Sequence, residues 1–243
     1  MDKNWLERTE LLIKDSGLEI LQNSNLLVVG LGGVGSFAAE FLVRAGVGKM
    51  TIVDGDTVDI TNVNRQLPAL HSTVGKNKVD IVSERLLDIN PKLDLTPINQ
   101  FLNPENMQEI LDSQSFDYVL DCIDSVTPKL TLIKEAKRRK IKIISSMGAG
   151  GKMDPSKIMV RDISKTYNCF LAKQVRKRLK KEINLQKGFK CVFSSEIQNE
   201  ESLKMTDGSN FKRSFYGTIS YIPAAFGLHA AAEVIHYLLK NKK

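Results

Sequence analysis

The apolar positions change their period along the chain. An unbroken apolar run at residues 26–29, "LLVV", leads through four glycines into "SFAAEFLVR", where apolar residues recur three and four apart. The first pattern suits a buried strand and the second an amphipathic helix. The same alternation predicts strands at 26–29, 49–53, 94–98, 118–121 and 141–145, and helices at 34–44, 76–90, 104–113 and 128–139. An opening helix is predicted over 5–21, with Gly17 as a candidate break. Strands separated by helical patterns imply parallel βαβ units with helices on both faces. The expected class is therefore α/β, a Rossmann-like doubly wound and mainly parallel sheet, with ligands at the carboxyl ends of its strands.

Past the glycine cluster Gly148–Gly151 the pattern changes. A further strand is predicted at 158–162, then a basic helix at 170–183, "FLAKQVRKRLKKEI". The polar stretch 184–213 is expected to be a long mobile loop. The closing apolar segment, 219–239, approaches transmembrane length, but Pro223, Gly227, His229, Glu233 and His236 interrupt it. A buried C-terminal helix is the expectation, with peripheral membrane contact the lesser alternative.

Composition adds limits. With 243 residues, 42% hydrophobic and 26% charged, the chain has an ordinary globular balance. Cys122, Cys169 and Cys191 form no C-x-x-C pair, which argues against a disulfide framework or a structural zinc site. The first fifteen residues, "MDKNWLERTELLIKD", are charged and lack the apolar core of a signal peptide, so a reduced cytoplasmic setting is expected. The net charge of +7 suits a nucleic-acid partner, and solubility alone explains it equally well. His71, His229 and His236 fit structural roles better than metal ligation.

Gly30, Gly32 and Gly35 form G-x-G-x-x-G, with Gly33 a further glycine between them. Between a strand and a helix, such a turn brings backbone N–H groups to phosphate oxygens. Asp54 closes the next predicted strand, where a carboxylate accepts hydrogen bonds from ribose hydroxyls. Beyond it, "DGDTVDITNVNRQ" places Asp56, Asn62, Arg65 and Gln66, and Lys78 follows in "VGKNKVD". Singly, each is an ordinary loop residue. As a set after a glycine turn, the cations suit a triphosphate whose phosphorus–oxygen bond breaks. Residues 1–151 thus read as a nucleotide-binding core and 152–243 as an extension, within one domain spanning 1–243. In "VLDCIDS", Asp124 is the favoured Mg²⁺ ligand because it lies farther into the loop, while Asp121 equally suits a turn cap.

The ordered set "GLGGVGS", "DGDTVDITNVNRQ", "VGKNKVD", "INP" and "DCIDS" resembles the adenylation domain of ubiquitin-activating enzymes and bacterial ThiF and MoeB proteins. The resemblance implies activation of a carboxylate by ATP as an acyl-adenylate. It assigns ATP binding to Gly32, Asp54, Asp56, Asn62, Arg65 and Lys78, and catalysis to Arg65, Lys78 and Asp124. It also implies an arginine supplied by a partner subunit, which Arg8 in "ERTELL" matches, and hence a homodimer.

Relatives that activate sulfur carriers usually hold two C-x-x-C pairs, and many have a nucleophilic cysteine in a crossover loop. Here the pairs are absent and Cys191, in "GFKCVFSSE", reads equally as a small buried hydrophobe. With "RTELLI", "DSVTPK", "GAGGKMDPSKI" and "CVFSSE", the narrower resemblance is to the tRNA threonylcarbamoyladenosine dehydratase family. That implies ATP-dependent cyclisation of a modified adenosine in tRNA, with no enzyme thiol needed because the nucleophile is already tethered. It further implies a bound Na⁺ or K⁺ and cooperation with a cysteine desulfurase and its sulfur acceptor. On this reading Lys173, Arg176, Arg178 and Lys180 are candidate phosphate contacts. The alternative is an adenylyltransferase acting on the C-terminus of a ubiquitin-like sulfur carrier. A nucleotide-binding scaffold and a nicotinamide oxidoreductase rank lower.

Overall fold

The structure, a computed structural model, describes residues 4–205 and 214–241. In chain order its principal elements are α1 (Glu7–Gln22), β1 (Asn25–Val29), α2 (Gly35–Arg44), β2 (Lys49–Val53), α3 (Lys78–Ile89), β3 (Asp94–Ile98), α4 (Pro104–Ser113) and β4 (Tyr118–Asp121). There follow α5 (Val126–Arg138), β5 (Lys142–Ser146), β6 (Ile158–Asp162), α6 (Phe170–Ile183), β7 (Lys190–Ser194), β8 (Leu203–Met205), β9 (Ser214–Tyr216) and α7 (Tyr221–Asn241).

β1 is buried along its whole length, which is why residues 26–29 are unbroken apolar rather than alternating. Successive side chains point to opposite faces. Leu26 and Val28 join a core containing Leu42, Val82, Phe226 and Val234, under α2, α3 and α7. Leu27 and Val29 join the other, containing Leu111, Ile133 and Val175, under α4, α5 and α6. The sheet runs in the order β3-β2-β1-β4-β5-β7-β6. All pairings are parallel except β6 against β7. The order reverses between β1 and β4, so the crevice beyond their carboxyl ends is the place for a ligand. This is the expected Rossmann-like, doubly wound α/β sheet.

Two expectations are corrected. The first helix kinks at Lys14 (φ 66°, ψ 169°), not at Gly17. Gly17 instead lets helices meet: a Cβ there would stand 3.0 Å from Ile13 Cβ and 3.2 Å from Leu239 Cδ2. The second correction concerns the stretch 184–213. It contains β7, an interior strand between β5 and β6, and β8, which pairs with β9. Cys191, Val192 and Phe193 are fully buried. Their three-residue apolar run between lysine and serines is short, and only pairing on both sides makes it a strand. The rest of that predicted loop, residues 206–213, lies outside the described residues.

α7 is long and apolar enough to cross a membrane by length and composition. Its Ile222, Phe226, Ala230, Val234 and Leu238 are nonetheless buried in the core it shares with α2. Gly227 permits the contact, since a Cβ there would stand 2.6 Å from Val34 O.

The carboxyl ends of β4 and β5 are tied together by a buried ion pair. Asp121 and Lys129 are both fully buried. Asp121 Oδ2 accepts from Lys129 Nζ at 2.8 Å and from Ser145 Oγ at 2.5 Å, while Oδ1 accepts from Ile123 N–H at 3.1 Å. Lys129 Nζ also donates to Ser146 O at 2.9 Å. Asp121 is therefore a structural anchor, the turn-capping alternative of the two roles open to it. Removing one partner strands a buried charge, so Lys129→Met is expected to cost about 3–5 kcal/mol in denaturant unfolding. The double variant Asp121→Asn/Lys129→Met should lose much less than the sum of the single losses.

Candidate nucleotide-binding site

The turn after β1 closes more tightly than any side chain allows. A Cβ on Gly35 would stand 1.8 Å from Gly30 O, and Gly30 itself has φ +89° with Cys122 O 2.9 Å from its would-be Cβ. The turn is thereby pressed onto the end of β4, at the sheet's reversal point. Gly33 backs onto Pro223 of α7, whose Cβ lies 2.9 Å from the position a side chain would take. Gly32 differs. The nearest atom to its would-be Cβ is Gln66 Nε2, at 3.6 Å, an ordinary contact. Packing in the protein does not require a glycine there, and the open space faces Gln66. Gln66 Oε1 is buried and accepts no hydrogen bond among the described residues. An open glycine beside an orphaned polar atom is what a site looks like before its ligand arrives.

Asp54, at the end of β2, holds the turn. Its Oδ2 accepts the Leu31 N–H at 2.6 Å and its Oδ1 accepts the Asp56 N–H at 2.8 Å. Burial pushes its carboxyl pKa up, and these two N–H groups pull it down. Each oxygen keeps further acceptor capacity for ribose hydroxyls. Residues 56–58 then run beside 75–78, with Lys78 N–H on Asp56 O at 3.0 Å and Val58 N–H on Lys76 O at 2.8 Å. This brings the buried Lys78 ammonium to Asp56 Oδ2 at 2.9 Å.

The loop carrying Arg65 is held by its own polar residues. Asp59 caps the short turn Ile60–Asn62, and buried Asn62 returns its Oδ1 to the Asp59 N–H at 3.2 Å. Asn62 thus serves the loop's shape. Arg65 Nη1 donates to Thr61 O at 2.7 Å and Asn64 Oδ1 at 2.9 Å. Burial lowers the pKa of its guanidinium, while the fields of Asp124 and Asp59 act the other way. Asn64 was not singled out from sequence. Its Nδ2 donates to Thr218 O at 2.8 Å, joining this loop to the segment just before α7. Its place beside Arg65 was the available signal.

Asp124 is exposed in the loop after β4, within the field of Arg65. No group of three or more metal-binding side chains occurs among the described residues. A single carboxylate beside substrate phosphates still suits Mg²⁺, which keeps most of its water.

Arg8 stands apart from these residues. It is exposed in the first turn of α1. Leu6 lies 3.4 Å from the would-be Cβ of Gly46, beyond the C-terminal end of α2, whereas the glycine turn opens that helix. A helix of that length spans about 15 Å.

Around the glycine cluster, a Cβ on Gly150 would meet Tyr216 Cβ at 2.9 Å. Gly151 N–H donates to Gly217 O at 2.8 Å, and Gly151 O accepts from Asn199 N–H at 2.9 Å. The cluster is a packed seat for the β8–β9 hairpin rather than a flexible joint. α6 starts beside it, with Leu171 Cβ 3.8 Å from the would-be Cβ of Gly148. Of the four candidate phosphate contacts on α6, Lys173 and Lys180 are exposed. Arg176 donates to Thr166 O at 2.9 Å, and Arg178 pairs with Glu182 at 2.9 Å. Glu182 also takes Lys134 of α5 at 2.5 Å, so α5 and α6 bring basic residues to one surface.

The ThiF family model matches residues 6–243. The chain belongs to the ThiF family. Similar proteins include the tRNA threonylcarbamoyladenosine dehydratase of Bacillus subtilis, 42% identical, with 96% of this chain and 94% of that one covered. The enzyme of the same name from Haemophilus influenzae is 39% identical, covering 95% and 92%. Among solved structures, E. coli tRNA threonylcarbamoyladenosine dehydratase, TcdA, in complex with ATP matches with a TM-score of 0.90 at 35% identity, covering 99% and 96%. The ThiF-family likeness thus runs through both the glycine-turn half and the extension.

The glycines separate shape from binding. Gly35→Ala should cost about 3 kcal/mol or more, because the added methyl meets backbone. Gly32→Ala should keep its melting temperature within a few degrees yet weaken nucleotide binding by about tenfold or more, read by calorimetry.

Proposed function

We propose that this protein is an ATP-dependent tRNA threonylcarbamoyladenosine dehydratase. The observation that carries this reading is the full-length likeness to dehydratases, which extends past the adenylating core through β7 and α7. The threonyl carboxylate attacks the α-phosphorus of ATP and pyrophosphate leaves. The carbamoyl group of the same nucleoside then attacks the acyl carbon, the ring closes and AMP departs with the oxygen that would have formed water. The second step is intramolecular, so it needs no enzyme nucleophile.

In this mechanism the glycine turn and Asp54 hold the nucleotide, and Gln66 offers its unmatched oxygen beside Gly32. Asn62 keeps the Arg65 loop in shape. Arg65 and Lys78 stabilise the charge that develops as pyrophosphate separates, acting from a half-buried and a buried position where such charge is worth more than in water. Asp124 would hold Mg²⁺, which would neutralise phosphate charge. Cys191 takes no part. It is fully buried inside β7, and burial pushes its thiol well above the ordinary range, away from the nucleophilic thiolate.

A homodimer is part of the proposal, with Arg8 reaching the other protomer's site. Leu11 and Leu12, 70% and 81% exposed on the same helix, give α1 an apolar surface for that contact. The exposed Lys173 and Lys180, with Arg176 and Arg178 beside them, form the proposed surface for tRNA phosphates. Ring closure calls for no sulfur, so a cysteine desulfurase and its sulfur acceptor enter as partners outside the chemistry. The proposed setting is cytoplasmic.

The test is mass spectrometry of nucleosides from threonylcarbamoyl-modified tRNA after incubation with protein and ATP. Loss of one water, dependent on ATP, is expected; an unchanged nucleoside with folded protein present would overturn the reading. Arg65→Ala and Asp124→Ala should each lower kcat by about a hundredfold or more while affecting ATP binding less. Cys191→Ala should retain turnover, and its loss in a folded variant would refute the thiol-free mechanism.

A further inference from the structure

At the amino edge of the sheet, away from the nucleotide site, an open crevice of about 460 Å³ lies between the strands and the C-terminal half of α7. Tyr118, Lys142 and Lys190 are the first residues of β4, β5 and β7, which are neighbours in the sheet. Glu233 and Tyr237 line the crevice from α7, and Lys137 and Lys140 from the end of α5 and the turn after it. Two carboxylates, Asp162 and Glu233, stand against these four lysines, so two positive charges remain unbalanced. Asp162 is taken up by the N–H groups of Ser164 (2.9 Å) and Gly188 (2.8 Å), and Glu233 by Lys190 at 2.5 Å. Lys137 gives one hydrogen bond, to Gly188 O at 2.9 Å. Lys142 Nζ stands 5.7 Å from the centre of the Tyr237 ring, and Lys140 is exposed. Tyr118 is 4% exposed, yet its hydroxyl makes no hydrogen bond among the described residues. Burial, and then the field of Glu233, push the phenol pKa up, so it stays protonated and able to donate.

An enclosed hydroxyl without a partner is a cost that a bound acceptor removes. A cleft of net positive charge concentrates anions. A phosphate monoester carries close to two negative charges and three terminal oxygens. That matches the two unbalanced ammoniums and leaves an oxygen for the phenol, whereas a carboxylate brings one charge and two oxygens. We propose that this crevice binds a phosphate dianion, free or as the terminal group of a small phosphate monoester, with Tyr118 as hydrogen-bond donor and Lys137, Lys140 and Lys142 as its cations. The crevice is of the size that small-molecule sites have, about 300–1,000 Å³. It is separate from the glycine turn, which lies beyond the opposite ends of the same sheet. Binding there is independent of the reaction proposed above.

The test is a titration of the full chain followed by NMR of its isoleucine methyl groups. Ile141 and Ile143 line the crevice, whereas Ile123, in the loop after β4, reports phosphate bound at the nucleotide site. Inorganic phosphate and glycerol phosphate are each added against chloride at matched ionic strength. Saturable movement of Ile141 and Ile143 is expected, and the tighter of the two probes tells the free ion from the ester. Tyr118→Phe should keep its melting temperature in chloride, because the lost hydroxyl has no partner, and weaken phosphate binding about tenfold. Lys140→Met/Lys142→Met, at two exposed positions, should abolish the saturable movement. No saturable movement with either probe would overturn the proposal, whether or not tRNA moves the same methyls. So would a response that persists unchanged in the folded double variant.

Discussion

The close approach of Gly30 O to Gly35, where a Cβ would stand only 1.8 Å away, sets the geometry of everything near the site. It lets the chain leave β1 and enter α2 in a turn closed against the end of β4, with Cys122 O directly behind Gly30. Any side chain at Gly35 pushes the helix off the strand. The turn's other surface is occupied by α7, through Pro223 on Gly33 and Gly227 on Val34. The C-terminal helix thus closes on the first βα unit, and the apolar character of 219–239 has its reason in that packing. The pattern of required and unrequired glycines then locates the ligand. Where protein atoms crowd, glycine is a packing residue; at Gly32, where they do not, the room is left for something else.

Charges around this turn are held before any ligand arrives. Lys78 is buried on Asp56, Arg65 is fixed by Thr61 and Asn64, and Asp54 is bound to two backbone N–H groups. Holding the groups in advance avoids reorganisation when phosphate charge moves, which is where such sites gain most. Behind the Asp124 loop, the buried Asp121–Lys129 pair locks β4, β5 and α5 together. Two aspartates three residues apart therefore have different work, one within the core and one in the solvent-facing loop. Their spacing in "DCIDS" leaves the assignment open; burial decides it.

Much of the fold was legible because each element's period matched its environment. Strand 49–53, strand 118–121 and helix 104–113 fall where the apolar pattern put them. What was not legible depended on distant partners. β7 has only Cys191, Val192 and Phe193 as its apolar signal, and it becomes a strand because β5 and β6 offer edges on both sides. Lys14 kinks the first helix despite the glycine three residues later, since Gly17 is occupied by a contact with Leu239 over two hundred residues away. At the site, Arg65, Lys78, Asp54 and Gln66 lie together around the glycine turn as their order suggested. Asn62 turned out to shape the loop, and Arg8 follows Leu6, which packs at Gly46, beyond the opposite end of α2 from the glycine turn.

The insertion of β7 changes the meaning of the extension. A βαβ core of this kind can end at β5, but here β7 continues the parallel sheet and β6 closes it antiparallel. That carries Cys191 into the buried part of β7, where it joins the same core as Phe193, on the face opposite Val192, instead of waiting in a mobile loop. It also delivers the Ser194 and Glu196 carbonyls to the segment that follows the glycine cluster, where Lys152 meets them. A cysteine removed from solvent and a lysine enclosed by carbonyls are two consequences of one added strand. Chemistry on a tethered nucleophile tolerates the first, because the reacting groups already share a molecule. The second joins the segment after the glycine cluster to the segment after β7.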